Sequence, residues 1–164
     1  MKKRYIFGIM ILGLIFQTRL HAQDDNACMQ DLSIFAEYVK VKNYTAAFEP
    51  WTRVRQSCPN INVAVYTYGE RILKHYIKNG TPEEVEASKK DLIQLYDEWV
   101  QYFPAKKNKS TVGDVLSKKA QALLDYKIED LKVVYSTFDE AFVKDAKSFT
   151  NPKHLYNYFK TLYD

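Results

Sequence analysis

Cys28 and Cys58 are the two cysteines of this 164-residue chain, and they are the residues most able to form a specific covalent bond. Cys28 opens one predicted helix and Cys58 closes the next, so an antiparallel pair brings both to the same end. A disulfide is the expected product, with two buried free thiols as the alternative. Other chemistry is sparse. Beyond residue 22 the histidines are His75 and His154, far apart in sequence, with no H-E-x-x-H, no paired cysteine ligands and no Gly-rich phosphate loop. The acid pairs Asp97-Glu98 and Asp139-Glu140 are adjacent, so on a helix they point about 100° apart and do not converge on one substrate atom. The sequence therefore predicts no catalytic residues, no metal site and no cofactor, and a protein that is not an enzyme.

The amino terminus reads as an address. Lys2, Lys3 and Arg4 precede the apolar run Tyr5 to Phe16, and Leu20-His21-Ala22 offers a small residue before Gln23. This is the layout of a secretory signal peptide over residues 1–22. The apolar run is well short of the roughly 20 residues that span a bilayer, so no integral membrane segment is expected after cleavage. Lipidation at Cys28 is disfavoured by Asp24, Asp25 and Asn26, which stand where small or apolar residues belong. The expected location is exported, periplasmic or associated with the outer envelope, where a disulfide persists.

Export changes the meaning of the charge. The whole chain is formally +4, but residues 1–22 hold four of its 24 basic residues and no acid, which leaves twenty of each sign. The remaining chain is neutral overall and gives no support for nucleic-acid binding. Lys106, Lys107 and Lys109 read as a solvated polar loop. Few glycines, 15% aromatics and no low-complexity stretch predict one ordered domain over residues 23–164.

Helical period recurs nearly everywhere. Residues 28–41 carry Met29, Leu32, Phe35 and Val39 on one stripe and Ile34, Tyr38 and Val41 on another, which predicts burial on two sides. Residues 44–57 direct Ala47, Phe48, Trp51 and Val54 inward, with Pro50 inside the helix and an irregularity expected there. Pro59, Pro82 and Pro152 mark three predicted helix starts, two of them after the good caps Thr81 and Asn151. Helices are expected near 59–78 and 82–103, with Val65, Tyr66, Leu73, Leu92, Leu95, Tyr96 and Trp99 inward. Residues 112–147 read as two helices broken near Tyr126 to Glu129, or as one long helix. A last helix follows Asn151, with six apolar or aromatic residues in nine positions from Leu155 to Tyr163. That is too many for a solvated cap, so the expectation is either a further, incomplete repeat of a longer solenoid or docking of this helix on a partner or on a second copy, as self-association.

Tyr38, Ala47, Trp51 and Pro59 fall at the spacing of a tetratricopeptide repeat, with Ile34 a conservative match. Asp31 stands where the pattern has Trp, and Phe35 where it has Gly, which predicts a splayed helix pair. Leu92, Tyr96, Trp99 and Pro104 repeat the spacing of Ala47, Trp51, Val54 and Pro59. With residues 32–44, 68–74 and 151–162, the chain resembles the amino-terminal part of secreted tetratricopeptide-repeat proteins of Bacteroidetes-type bacteria. The resemblance implies an all-α fold: a TPR-like right-handed solenoid of helical hairpins, about seven helices after the signal peptide. It also implies a protein-binding or scaffold module.

Such solenoids present their first helices on a concave surface suited to a peptide or protein partner. The predicted partner-binding residues are Glu37, Lys40, Glu70, Arg71 and Lys74, with Tyr68 and Tyr76 as aromatic anchors or as core residues with their hydroxyls at the rim. A small-molecule or glycan-binding envelope protein is the competing reading, and an assembly part of an envelope complex a third. Trp51 and Trp99 discriminate, because core-facing indoles cannot stack on sugars.

Overall fold

The computed structural model describes residues 26–163, so the predicted signal peptide and the Gln23 start lie outside the described residues. The described residues are helical apart from one two-stranded hairpin. None of their helices is long and apolar enough to cross a membrane. The chain divides after Ile61 into two compact units.

The first unit holds a helix over residues 26–40 (α1) and a second, α2, over Tyr44–Ser57. Between them Lys42 takes the left-handed conformation at φ 60°, and Asn43 caps α2 by accepting from Ala46 N–H at 3.2 Å. Leu32, Phe35 and Val39 of α1 and Ala47, Trp51 and Val54 of α2 are buried. The second stripe of α1 is not: Ile34, Tyr38 and Val41 are exposed, as is Phe48 of α2. Two-sided burial of α1 was the wrong expectation, because Ile34 and Tyr38 lie about 100° around the helix from Phe35 and Val39 and fall outside the single stripe that is covered. Helix α2 runs through the buried Pro50 without interruption. Cys28 and Cys58 form the disulfide, with Cα atoms 6.3 Å apart.

The second unit opens with α3, Ala64–Asn79. Pro59 does not start it. Ile61 N–H instead closes a turn on the Cys58 carbonyl, and Asn62 Oδ1 accepts from Ala64 N–H at 2.8 Å, so the asparagine rather than the proline sets the helix start. Ile61, Val63 and Val65 form no strand, since Val65 is buried within α3. Helix α4, Pro82–Tyr102, begins with a complete capping box: Thr81 Oγ accepts from Glu84 N–H, and Glu84 Oε2 accepts from Thr81 N–H at 2.7 Å. It packs against α3.

After α4 the predicted polar loop is a small antiparallel hairpin, β1 (Ala105–Lys106) with β2 (Lys109–Ser110). Lys107 and Asn108 both take positive φ, 50° and 61°, the pattern of the tight turn that suits strand twist. Helices α5 (Val112–Asp125) and α6 (Leu131–Asp145) are separate. The break rests on Lys127 at φ 51°. Around it Ile128 N–H donates to the Leu123 carbonyl and Lys127 N–H to that of Leu124, the paired bonds of a Schellman ending made without glycine. Asp130 caps α6 by accepting from Val133 N–H at 2.9 Å. Gly113 is required at the start of α5, because a Cβ there would collide with the Asp145 carbonyl oxygen and Ser148 Oγ.

Helix α7, Pro152–Lys160, is capped by Asn151 and lies against α5 and α6. Its inner side supplies His154 and Thr161, with Leu155 and Tyr158 half-buried. Its outer side leaves Tyr156 and Phe159 exposed, with Leu162 and Tyr163 exposed just beyond its end. The helix is thus folded back on one side only, which is why its sequence carries more apolar residues than its own unit covers. Leu116, Ala120, Leu123, Val134, Phe138, Ala141 and Phe149 form the core beneath it, with the Phe138 and Phe149 rings stacked at 6.0 Å.

Candidate functional site

The five predicted partner-binding residues divide between the two units. Glu37 and Lys40 are exposed on α1 and pair with each other at 2.6 Å. Glu70, Arg71 and Lys74 lie on α3, where residues four apart share a face and the next residue stands beside it. Lys74 Nζ reaches Glu70 Oε1 at 2.5 Å, and the same oxygen accepts from Tyr96 Oη at 3.1 Å. Burial first, and then the Glu70 carboxylate, push the Tyr96 hydroxyl far above the usual phenol range, so it remains a donor. Glu70 is therefore anchored from beneath by α4 and is mostly covered, whereas the exposed Arg71 lies over the Tyr68 ring at 5.2 Å. Tyr76 is half-buried with its ring edge-on to His75.

The tryptophans are unavailable as stacking platforms. Trp51 is 1% and Trp99 6% exposed, with Arg55 over the first ring and Lys118 over the second. Of the acid pairs, Asp97 binds Lys119 at 2.6 Å and Glu98 accepts from Gln94 at 2.8 Å. Asp139 accepts from Tyr158 Oη at 2.6 Å, and Glu140 binds Lys144 at 2.6 Å. Among the described residues no cluster of three or more His, Cys, Asp or Glu side chains could hold a metal ion.

Two arrangements were missed in the sequence. Asp31 and Arg53 make a two-pronged pair between α1 and α2, Nε to Oδ2 at 2.8 Å and Nη2 to Oδ1 at 2.7 Å. The signal was visible, since Asp31 occupies the position where the repeat pattern has Trp. The hydrogen bonds from Arg53 hold the Asp31 carboxyl below its ordinary range, against the smaller effect of burial.

The other is a buried polar seam between α5 and α7. Ser117 Oγ donates to the Asp114 carbonyl at 2.9 Å and lies 2.9 Å from His154 Nδ1. With its proton on the Asp114 carbonyl, the serine accepts from His154 in the Nδ1–H tautomer. Burial lowers the pKa of His154, so it is held neutral. Ser117 is fully buried, so its hydroxyl serves α7 rather than a substrate. Gln121 extends the seam by accepting from Asn157 Nδ2 at 2.7 Å and donating to Asp125. Lys153 Nζ meets the same aspartate at 3.1 Å.

Comparison with family models, with curated proteins and with solved structures finds no match for this chain.

Proposed function

We propose that the chain is an exported, TPR-like interaction module of the bacterial envelope that binds a peptide or protein partner on a helical face. The observation that carries the reading is the α3 surface. Arg71 and Lys74 are exposed there side by side, with the mostly covered Glu70 carboxylate paired to Lys74, and the hydrogen bond from Tyr96 and the ring of Tyr68 hold the group in place. A charged face ordered before it meets a ligand loses less side-chain freedom on binding, and mixed signs favour one partner over nonselective adhesion. The Cys28–Cys58 disulfide is compatible with an oxidising compartment outside the cytoplasm. Paired helices α3 with α4 and α5 with α6 are compatible with a hairpin solenoid. Burial of Trp51 and Trp99 weighs against glycan stacking.

The test is crosslinking in the native cell with identification of the captured protein, repeated with Arg71→Glu. The charge reversal is expected to abolish capture of that partner while the thermal midpoint stays within about 2 °C, as for an exposed surface change. Undiminished capture would move the site off α3.

A further inference from the structure

A cleft of about 650 Å³ opens in the second unit between the carboxyl-terminal half of α3, the first half of α4 and the link from α5 to α6. Its charged lining is one-sided. Lys74 and Lys78 come from α3, Lys89 from α4 and Lys127 from the α5–α6 link, against one carboxylate, Asp125. Asp125 is engaged by Lys153 and Gln121. Lys74 and Lys89 are paired with Glu70 and Glu86, but Lys78 and Lys127 make no ion pair among the described residues. The Tyr126 hydroxyl has its pKa raised by burial first and by Asp125 next, so it remains protonated. Ile77 and Val85, both half-buried, supply an apolar wall.

We infer that this cleft binds an acidic peptide segment in which carboxylates flank an apolar side chain. The inference rests on the reading of α3 as a partner surface, which it extends by naming the partner's chemistry. The lining is rich in donors and poor in free acceptors, so its ligand must bring acceptors and negative charge. The volume lies within the range of specific ligand sites and is far larger than one small anion needs. The cations come from three separate elements and are all lysines, which act as point charges; a single phosphate is better met by the converging fork of an arginine. Lys127 springs from a backbone held by the two hydrogen bonds of the Schellman ending, so its side chain starts from an ordered position at the cleft. Separated carboxylates match separated lysines, and an intervening apolar residue matches Ile77 and Val85.

The experiment is fluorescence anisotropy of the chain from Gln23 onward with a labelled peptide of alternating Glu and Leu. Peptides of alternating Gln and Leu and of alternating Lys and Leu serve as controls, and citrate and inorganic phosphate as competitors. The acidic peptide is expected to bind, to weaken with added salt, and to lose about tenfold or more in affinity with Lys78→Glu plus Lys127→Glu. Lys78→Gln with Lys127→Gln, a milder pair, should lose affinity in the same direction, which guards against misfolding of the double reversal. Equal binding of the Gln peptide, indifference to both lysine pairs, or displacement by phosphate as effective as by unlabelled acidic peptide would each overturn the assignment. Arg71 does not line the cleft. Loss of cellular capture in Arg71→Glu together with no acidic-peptide binding would leave the α3 surface standing and the cleft inference refuted.

Discussion

The two units of this chain solve the same problem with different chemistry. The helix pair α1–α2 buries a short apolar stripe and adds a covalent bond near one end, Cys28–Cys58, with the Asp31–Arg53 pair on the same two helices. The five helices after Ile61 contain no cysteine; α5 and α6 share the apolar cluster around Phe138, which α4 and α7 flank, and a buried polar seam holds α7 to α5. In the first unit a crosslink that restricts the unfolded chain adds to the stability that the buried stripe supplies. Where several helices converge, packing supplies it.

The largest expected effect lies in the second unit. Phe138 is fully buried among Phe149, Tyr158 and the apolar residues of α5. Phe138→Ala should cost about 3–5 kcal/mol, the lost transfer energy plus the cavity left behind. Urea denaturation followed by near-ultraviolet circular dichroism measures it. A cost below about 1 kcal/mol would mean that the cluster collapses around the gap and that packing there is looser than its burial implies. The next effect is in the first unit. Cys28→Ser with Cys58→Ser removes a crosslink over a loop of about 30 residues and should cost about 3–4 kcal/mol. Hydrogen exchange should place the loss in residues 26–61. A loss spread evenly through α3–α7 would erase the distinction between a stapled unit and a packed one.

These contrasts were unevenly legible in the sequence. Thr81 and Asn151 were readable as caps because capping is local chemistry, completed within three residues. The all-helical class and the disulfide were readable on other grounds, the first from period and the second from two cysteines at hairpin ends. The break between α5 and α6 was readable in position but not in mechanism, since nothing marked Lys127 for a left-handed backbone. Pro59 misled because a proline suits a turn as well as a first helical turn, and Asn62 decided between them. The second stripe of α1 misled because periodicity reports apolar residues and not whether anything covers them. The lysine cleft was invisible: Lys74 and Lys78 are a helical pair, but Lys89 and Lys127 join them only through the packing of three elements.

The smallest expected effect sharpens the comparison by separating the units along the pH axis. In the first unit Asp31 is held ionised by Arg53, with its folded pKa below the unfolded one. Its contribution is therefore present above the ordinary aspartate value of about 3.9 and is lost only as the pH falls through the lower folded value. In the second unit His154 is held neutral by burial, with its folded pKa also below the unfolded one. For a base the consequence is different. Below about 6.5 the unfolded chain takes up a proton that the folded chain resists, so stability falls as the pH drops from there toward the folded value. Around the ring, Asp114 and Asp125 of α5 favour its protonation, whereas Lys118 of α5 and Lys153 of α7 oppose it. Amide exchange across a pH series should therefore show α7 losing protection first, beginning below about pH 6.5, while α1 and α2 hold until the aspartate range. His154→Gln keeps an amide donor for Ser117 and removes the titration, so the loss of α7 protection between the two ranges should flatten. An α7 response that persists unchanged in the glutamine variant would locate the titrating group elsewhere in the seam.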